Sequence, residues 1–249
     1  MSNAILLVED NEINQILVME MLSRENHEVT IANNGHEALQ ILDNKDFALV
    51  LMDLRMPVMD GYEAIKRIRQ HAVHSHLPVI CLSASAQVED RDTILSHGFD
   101  DHVAKPIDFE HLRALLQKYL CTDQKNAAST LDETQATTSS AVNWEAALRH
   151  HADDRSLLIR LLKEFFRYYA DVPDDIEALL SQEKRVDAER LAHNIKGLCG
   201  SFGATNMHRT AEAIEYAIRD QSSEVSAAME DFRKAHGVFT DEARAFIEG

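Results

Sequence analysis

Residues 48–53 read ALVLMD, five apolar side chains followed by a carboxylate. A strand with no polar residue is covered on both faces, which points to a parallel sheet between helices. Working outward, Ile5-Leu6-Leu7-Val8 is a similar run, closed by Glu9, Asp10 and Asn11. Val29–Ala32 and Val79–Leu82 are further strand candidates, and a weak one lies near His102-Val103. Helical spacing predicts helices from about Asn14 to Glu25, then from the Asn33-Asn34-Gly35 turn to about Asp43. Others are expected over Tyr62–His71, Val88–His97 and Phe109–Leu120. Five β-α units with right-handed crossovers make a doubly wound α/β domain with a five-stranded parallel sheet.

The pattern changes after Cys121. The segment TDQKNAASTLDETQATTSSA, residues 122–141, has one leucine and no aromatic residue, and it reads as a flexible linker. As coil it would span roughly 25 Å. Beyond it only helical spacing is found: from Trp144, over Ser156–Gln182, Val186–Phe202, Asn206–Asp220 and Glu224–Ile247. Pro173 is expected to kink or restart the second of these. The expected organisation is an α/β domain over 1–121, a linker over 122–141 and an all-α helical bundle over 142–249.

Composition narrows the function. Among 249 residues, 25 are Lys or Arg and 42 are Asp or Glu, a formal charge of −17. That balance argues against a broad nucleic-acid or anionic-membrane surface. The three cysteines, Cys81, Cys121 and Cys199, lack paired spacing, so neither a disulfide framework nor a zinc site is expected. No apolar run is long enough to span a bilayer, and the first residues lack a signal-peptide pattern. A reducing cytoplasm is the expectation.

Parallel α/β sheets bind ligands at the carboxyl ends of their strands. The residues just past those ends are Glu9 and Asp10, Asp53, Ser83, and Lys105 followed by Pro106. Three converging carboxylates repel one another, and a hard cation such as Mg²⁺ relieves that repulsion through oxygen ligation. One carboxylate then serves as nucleophile toward phosphorus, with a metal, a hydroxyl and an ammonium to offset the phosphoryl charge. Taken singly, an Asp after a strand is usually a helix cap; the whole set on successive strand ends is harder to assign to capping.

The stretches ILLVEDNEINQ, ALVLMDLRMPVMDGYEA, PVICLSASA and DDHVAKPI resemble a response-regulator receiver domain, a flavodoxin-like fold, over about the first 120 residues. The resemblance implies Asp53 as phosphoacceptor and Glu9 and Asp10 as metal-side acids. It implies the backbone carbonyl of Arg55 as a further metal ligand, Ser83 as switch hydroxyl and Lys105 as the phosphoryl-pairing lysine. Two positions depart from the commonest family pattern. His102 stands where a switch Tyr or Phe is usual, and its charge varies near neutral pH. Arg55 stands where small or neutral residues are common. Phosphatases of the haloacid dehalogenase type also use an Asp after a parallel strand, but they resemble D-x-D, and Asp53-Leu54-Arg55 lacks the second acid.

The helical half has its own candidate. With Leu191 at zero, Ile195, Leu198, Cys199 and Phe202 fall within ~80° of one side by the 100° helical step. His193 falls near ~200°, with Lys196 near ~140°, Gly200 near ~180° and Gly197 near ~240° by the same step. A lone helical histidine is usually without chemistry. Here two interior glycines, each costing about 1 kcal/mol against Ala, leave a shallow surface beside an imidazole. The expectation is that His193, Lys196, Gly197 and Gly200 share an exposed face. The segment AHNIKGLCGSFGA closely resembles the phosphohistidine motif of histidine phosphotransfer (HPt) domains, which implies His193 as the phosphorylated residue.

Other features carry less. His71, His74 and His76 before Pro78 read as a solvated loop, and Phe165, Phe166, Tyr168 and Tyr169 as bundle packing. No ATP-site motif of a kinase and no basic DNA-reading helix is found. The expected function is a phosphorelay protein of the two-component type that accepts a phosphoryl group on Asp53 and relays phosphoryl groups through His193. Its expected partners are an upstream histidine kinase and a downstream receiver; the pattern says nothing of oligomeric state. A switch-controlled binding module that regulates a kinase without His193 transfer is the alternative.

Overall fold

The computed structural model describes residues 4–83, 91–120 and 142–249. The chain divides into two compact units between Thr137 and Thr138. The expected linker, 122–141, lies outside the described residues.

The first unit alternates strand and helix: β1 (Ala4–Val8), α1 (Glu12–Arg24), β2 (Glu28–Ala32), α2 (Gly35–Leu42), β3 (Leu49–Asp53), α3 (Gly61–Gln70), β4 (Val79–Ser83), α4 (Arg91–Ser96), β5 (Asp101–Ala104) and α5 (Phe109–Leu120). All pairings are parallel, in the order β2-β1-β3-β4-β5. The three inner strands are buried at every position, which explains their unbroken apolar runs. Leu6, Val8, Val50, Met52 and Cys81 pack under Ala38, Leu42, Ala64, Ile65 and Ile68 of α2 and α3. The alternate residues Ile5, Leu7, Leu49, Leu51, Ile80 and Leu82 are equally buried and face the other way.

Register decides what meets at the carboxyl edge. Val8 pairs with Met52, so Glu9 and Asp53 leave the sheet side by side. Asp53 pairs with Leu82, and Ser83 with Ala104, which puts Ser83 beside the strand that ends before Lys105. Short capped turns hold this edge. The side chains of Asn11, Asn34 and Asp60 accept from the first backbone N–H groups of α1, α2 and α3. Gly61 starts α3 so close to β3 that a Cβ there would lie 2.5 Å from the Asp53 carbonyl oxygen.

The second unit is a helical bundle: α6 (Trp144–His150), α7 (Arg155–Tyr169), α8 (Val172–Ser181), α9 (Arg185–Ser201), α10 (Thr205–Arg219) and α11 (Val225–Glu248). Pro173 sits in the first turn of α8, so it restarts the helix as expected. Phe165, Phe202, Phe232 and Phe239 fill the core as fully buried rings. Gly203 turns the chain between α9 and α10 at φ +67°, and its carbonyl accepts from Asn143 N–H at 2.9 Å. None of the helices among the described residues is long and apolar enough to cross a membrane.

Candidate functional site

In the α/β unit, Glu9, Asp10 and Asp53 each place a carboxylate oxygen within 4.8 Å of the others. Asp53 is 2% exposed and Glu9 fully buried. Lys105 bridges the pair: its Nζ donates to Asp53 Oδ2 and to Glu9 Oε2, each at 2.7 Å. The Lys105-Pro106 bond is cis. The first turn of α1 holds the other Glu9 oxygen, Oε1, through Asn11 N–H at 3.2 Å and Asn14 Nδ2 at 3.1 Å. Gln15 Nε2 donates to the Glu9 carbonyl at 2.6 Å and to Asn33 Oδ1 at 2.9 Å. The Arg55 N–H leans on Asp53 Oδ1 at 3.4 Å.

Burial pushes the Glu9 carboxyl up to about 7; Lys105 opposes this and Asp53 adds to it. Burial acts to lower the Lys105 ammonium, but Asp53 and then Glu9 outweigh it and raise the group above lysine's ordinary range. Ser83 Oγ is buried at the same edge with no hydrogen-bond partner among the described residues. A buried hydroxyl without an acceptor is costly, and an oxyanion at this edge would satisfy it. Three hard oxygen donors beside an ammonium suit a divalent cation and a phosphoryl group. His102 lies on β5 with its Nδ1 buried. Burial holds its pKa below the usual value, with Asp101 opposing.

In the bundle, the structure corrects one expectation. His193 is not on an exposed face; it is 5% exposed, and Lys196 is buried as well. The helical wheel treats α9 as though it had one packed side. After the turn at Gly203, α10 folds back along α9 and covers the side opposite the first core stripe. His193 Nδ1 meets Glu215 Oε1 of α10 at 3.1 Å. Glu215, 1% exposed, also pairs through Oε2 with Lys196 Nζ at 2.7 Å and through Oε1 with Arg219. Arg219 Nε reaches back to Glu189 Oε1 of α9 at 2.9 Å. Burial acts to raise the Glu215 carboxyl, but the hydrogen bond and charge of His193 and the Lys196 ammonium outweigh it and bring it down to about 2. The ionised carboxylate can only accept, so Nδ1 carries the proton in the neutral ring and Nε2 keeps a lone pair. Gly197 does keep the expected openness: a Cβ there would meet nothing within 4 Å.

Two family models match the chain: the response regulator receiver domain over residues 5–117 and the Hpt domain over residues 160–248. The chain is a receiver domain followed by an Hpt domain. The signal transduction histidine-protein kinase BarA of Escherichia coli (strain K12) is 28% identical over 223 residues, which are 88% of this chain and 24% of BarA. The chain thus spans about a quarter of that relative's length. The receiver domain of the sensor histidine kinase PA1611 from Pseudomonas aeruginosa PAO1, solved with a magnesium ion in its active-site cleft, is 36% identical; the match covers 48% of this chain and 98% of that one, with a TM-score of 0.45. The receiver of Saccharomyces cerevisiae Ssk1, crystallised with the phosphotransfer protein Ypd1, is 29% identical over 48% of this chain and 90% of that one, with a TM-score of 0.44.

Within the receiver, every strand-end residue singled out from the sequence stands on the same sheet edge. Asn14 and Gln15 were not singled out, although they fix Glu9; their signal was a pair of amides one turn into a helix that follows a carboxylate. Within the Hpt domain the missed residues are Glu215, Arg219 and Glu189. Glu215 follows Ile214 and precedes Ile218 on the buried stripe of α10. A carboxylate in such a stripe is a detectable signal, because an unpaired one is rarely buried.

Proposed function

We propose that this chain is a phosphorelay protein with two phosphoryl stations, Asp53 in the receiver and His193 in the Hpt domain. In the first step an Asp53 carboxylate oxygen attacks the phosphorus of a kinase phosphohistidine; the O–P bond forms as the N–P bond breaks. Lys105, already beside Asp53, offsets the phosphoryl charge, and the Ser83 hydroxyl donates to a phosphoryl oxygen. Glu9, Asp10 and Asp53, with the Arg55 carbonyl, would hold Mg²⁺, which supplies charge neutralisation to the transferring group. In the second step His193 Nε2 takes the phosphoryl group from an aspartyl phosphate, on this chain or another, and a further receiver accepts it.

The His193–Glu215 hydrogen bond carries this reading most. A neutral imidazole with its Nδ1 proton engaged leaves Nε2 as a nucleophile, and Lys196 keeps the nearby carboxylate compatible with added negative charge. The open surface at Gly197 gives a partner access. An upstream histidine kinase and a downstream receiver are the implied partners.

The test uses the different labilities of the two phosphoryl bonds. The chain and its Asp53→Ala and His193→Ala variants are treated with acetyl phosphate and Mg²⁺, then with a phosphorylated receiver. A base-labile label that needs Asp53 and Mg²⁺, and a base-stable, acid-labile label that needs His193, are expected. Absence of any base-stable label dependent on His193 would sink the relay reading.

A further inference from the structure

We propose that Arg219 is a positioning residue for His193: bridging Glu189 on α9 and Glu215 on α10, it holds Glu215 against Nδ1 and so keeps the ring proton there, which makes Nε2 the nitrogen whose lone pair takes the phosphoryl group.

The contacts form a closed circuit. His193 Nδ1 meets Glu215 Oε1, and the Arg219 guanidinium meets the same Oε1 through a second nitrogen. Arg219 Nε then donates to Glu189 Oε1, which stands one turn before His193 on the same helix. Glu189 and His193 share a side of α9, since four residues separate them. The guanidinium lies 5.1 Å from the Tyr216 ring centroid, a cation–π contact within α10. Arg185 Nη1 donates to the Ile218 carbonyl at 3.2 Å, joining the start of α9 to the end of α10. The charged groups linked in this network include Glu189 and Lys196 from α9 and Glu215 and Arg219 from α10, and Lys196 Nζ also lies 3.8 Å from Glu212 of α10.

Without Arg219, Oε1 of Glu215 loses its guanidinium partner, while Lys196 still holds the other oxygen. The carboxylate would turn toward that side, and the Nδ1 proton would lose its fixed acceptor. Lysine could restore the charge but not the two-point bridge, because an ammonium is a point donor and a guanidinium a planar fork. The circuit matters at the moment of transfer. As Nε2 gives its lone pair to phosphorus, the N–P bond forms and the donor's aspartyl P–O bond breaks, its carboxylate leaving with the electron pair. Nδ1 keeps its proton, the ring takes up the positive charge, and Glu215 balances it.

This inference rests on His193 as a phosphoryl station, but one arm of its test does not. The full chain, labelled with ¹⁵N-histidine, is compared with Arg219→Gln, Arg219→Lys and Glu189→Gln, and His193→Ala assigns the signal. Fluorescence of Trp144, the chain's single tryptophan, confirms that each bundle is folded. The ¹⁵N shifts at a pH where His193 is neutral report which nitrogen holds the proton. Phosphoramidate, which releases ammonia as the new N–P bond forms, then measures the rate of base-stable labelling. The wild-type chain is expected to hold Nδ1–H alone. Arg219→Gln and Glu189→Gln are expected to show mixed tautomers and labelling slower by about tenfold, less than the roughly hundredfold of a 1 Å misplacement. Arg219→Lys is expected to stay mixed. A single Nδ1–H tautomer with wild-type labelling in Arg219→Gln overturns the proposal, and full recovery in Arg219→Lys overturns the bridge in favour of charge alone. Should the wild-type chain take no label on His193, the phosphohistidine reading fails, while the tautomer comparison still decides the role of Arg219.

Discussion

The Nζ of Lys105 sits 2.7 Å from Oδ2 of Asp53, so the lysine already holds that carboxylate in place. It is buried there, with Glu9 as its second partner. Removing one member of a buried charge cluster typically costs about 3–5 kcal/mol, because the remaining charges lose compensation. Lys105→Met is expected to lower the receiver's unfolding transition by that order in metal-free buffer. Added Mg²⁺ should stabilise this variant more than the wild type, since a second cation then replaces the first. Calorimetry of the full chain with and without Mg²⁺ checks this; an unchanged receiver transition in metal-free buffer would count against the buried cluster.

The two glycines near the phosphohistidine motif are expected to respond in opposite ways. A Cβ at Gly203 would lie 2.4 Å from the Asn143 carbonyl oxygen, and its φ is +67°. Gly203→Ala should therefore destabilise the bundle by roughly 2 kcal/mol or more. A Cβ at Gly197 meets nothing within 4 Å, in the middle of α9. Gly197→Ala should stabilise by up to about 1 kcal/mol through helix propensity. The same methyl should slow transfer from a phosphorylated receiver and leave labelling by phosphoramidate unchanged. Urea titration followed by Trp144 fluorescence reads the first pair of effects, and the two donors separate docking from chemistry.

The receiver site was legible because strand ends are dictated by local pattern. An apolar run such as Leu49–Met52 must stop at Asp53, and parallel register then forces Glu9 and Lys105 to the same edge. The supports of that site were less legible, since Asn14 and Gln15 act by angle around a helix start. The neighbourhood of His193 shows the limit more sharply. The wheel of α9 found His193 opposite Ile195 and Leu198, which is correct, but a bundle helix can be packed on two sides. Only the course of α10, 22 residues further to Glu215, decides that His193 is buried. A single helix carries no information about which neighbour covers it.

Arg69 ties together the far end of the receiver sheet. Its guanidinium donates to the carbonyls of Gly98 at 2.7 Å, Ser75 at 3.2 Å and Leu77 at 2.8 Å, and to Asp100 Oδ2 at 2.6 Å. Asp100 Oδ2 also accepts from the Val79 N–H at 2.7 Å, at the start of β4. Arg69→Met would strip these acceptors of a charged donor, each such bond being worth about 1.5–3 kcal/mol at most. The four are coupled, so a net loss of about 2–4 kcal/mol is expected. Because this end of the sheet is remote from Asp53, acetyl phosphate should label the folded variant at the wild-type rate. A slower rate at a temperature where the receiver is fully folded would contradict that separation.

His151 sets an acid limit on the Hpt domain. Its ring is fully buried, edge-on to Phe202, and neither nitrogen has a hydrogen-bond partner among the described residues. Burial pulls its pKa down from 6.5 to about 4, with the backbone at His150 and the Asp154 charge opposing and the His150 charge assisting. The unfolded chain therefore binds a proton between these values that the folded chain refuses. The stabilisation is complete above about pH 6.5 and is lost as the pH falls toward 4, by roughly 3 kcal/mol in all. His236, also depressed first by burial, adds to the loss in the same direction. Glu215 acts lower, since its stabilisation is present above its unfolded value near 4.5 and is lost as the pH falls toward 2. His151→Leu removes two unpaired polar atoms and the proton-binding site together. Its urea midpoint, read from Trp144 fluorescence, should match or exceed the wild type at pH 7 and exceed it clearly at pH 5. An equal slope of stability against pH in the two chains would show that His151 is not the group excluded from protonation.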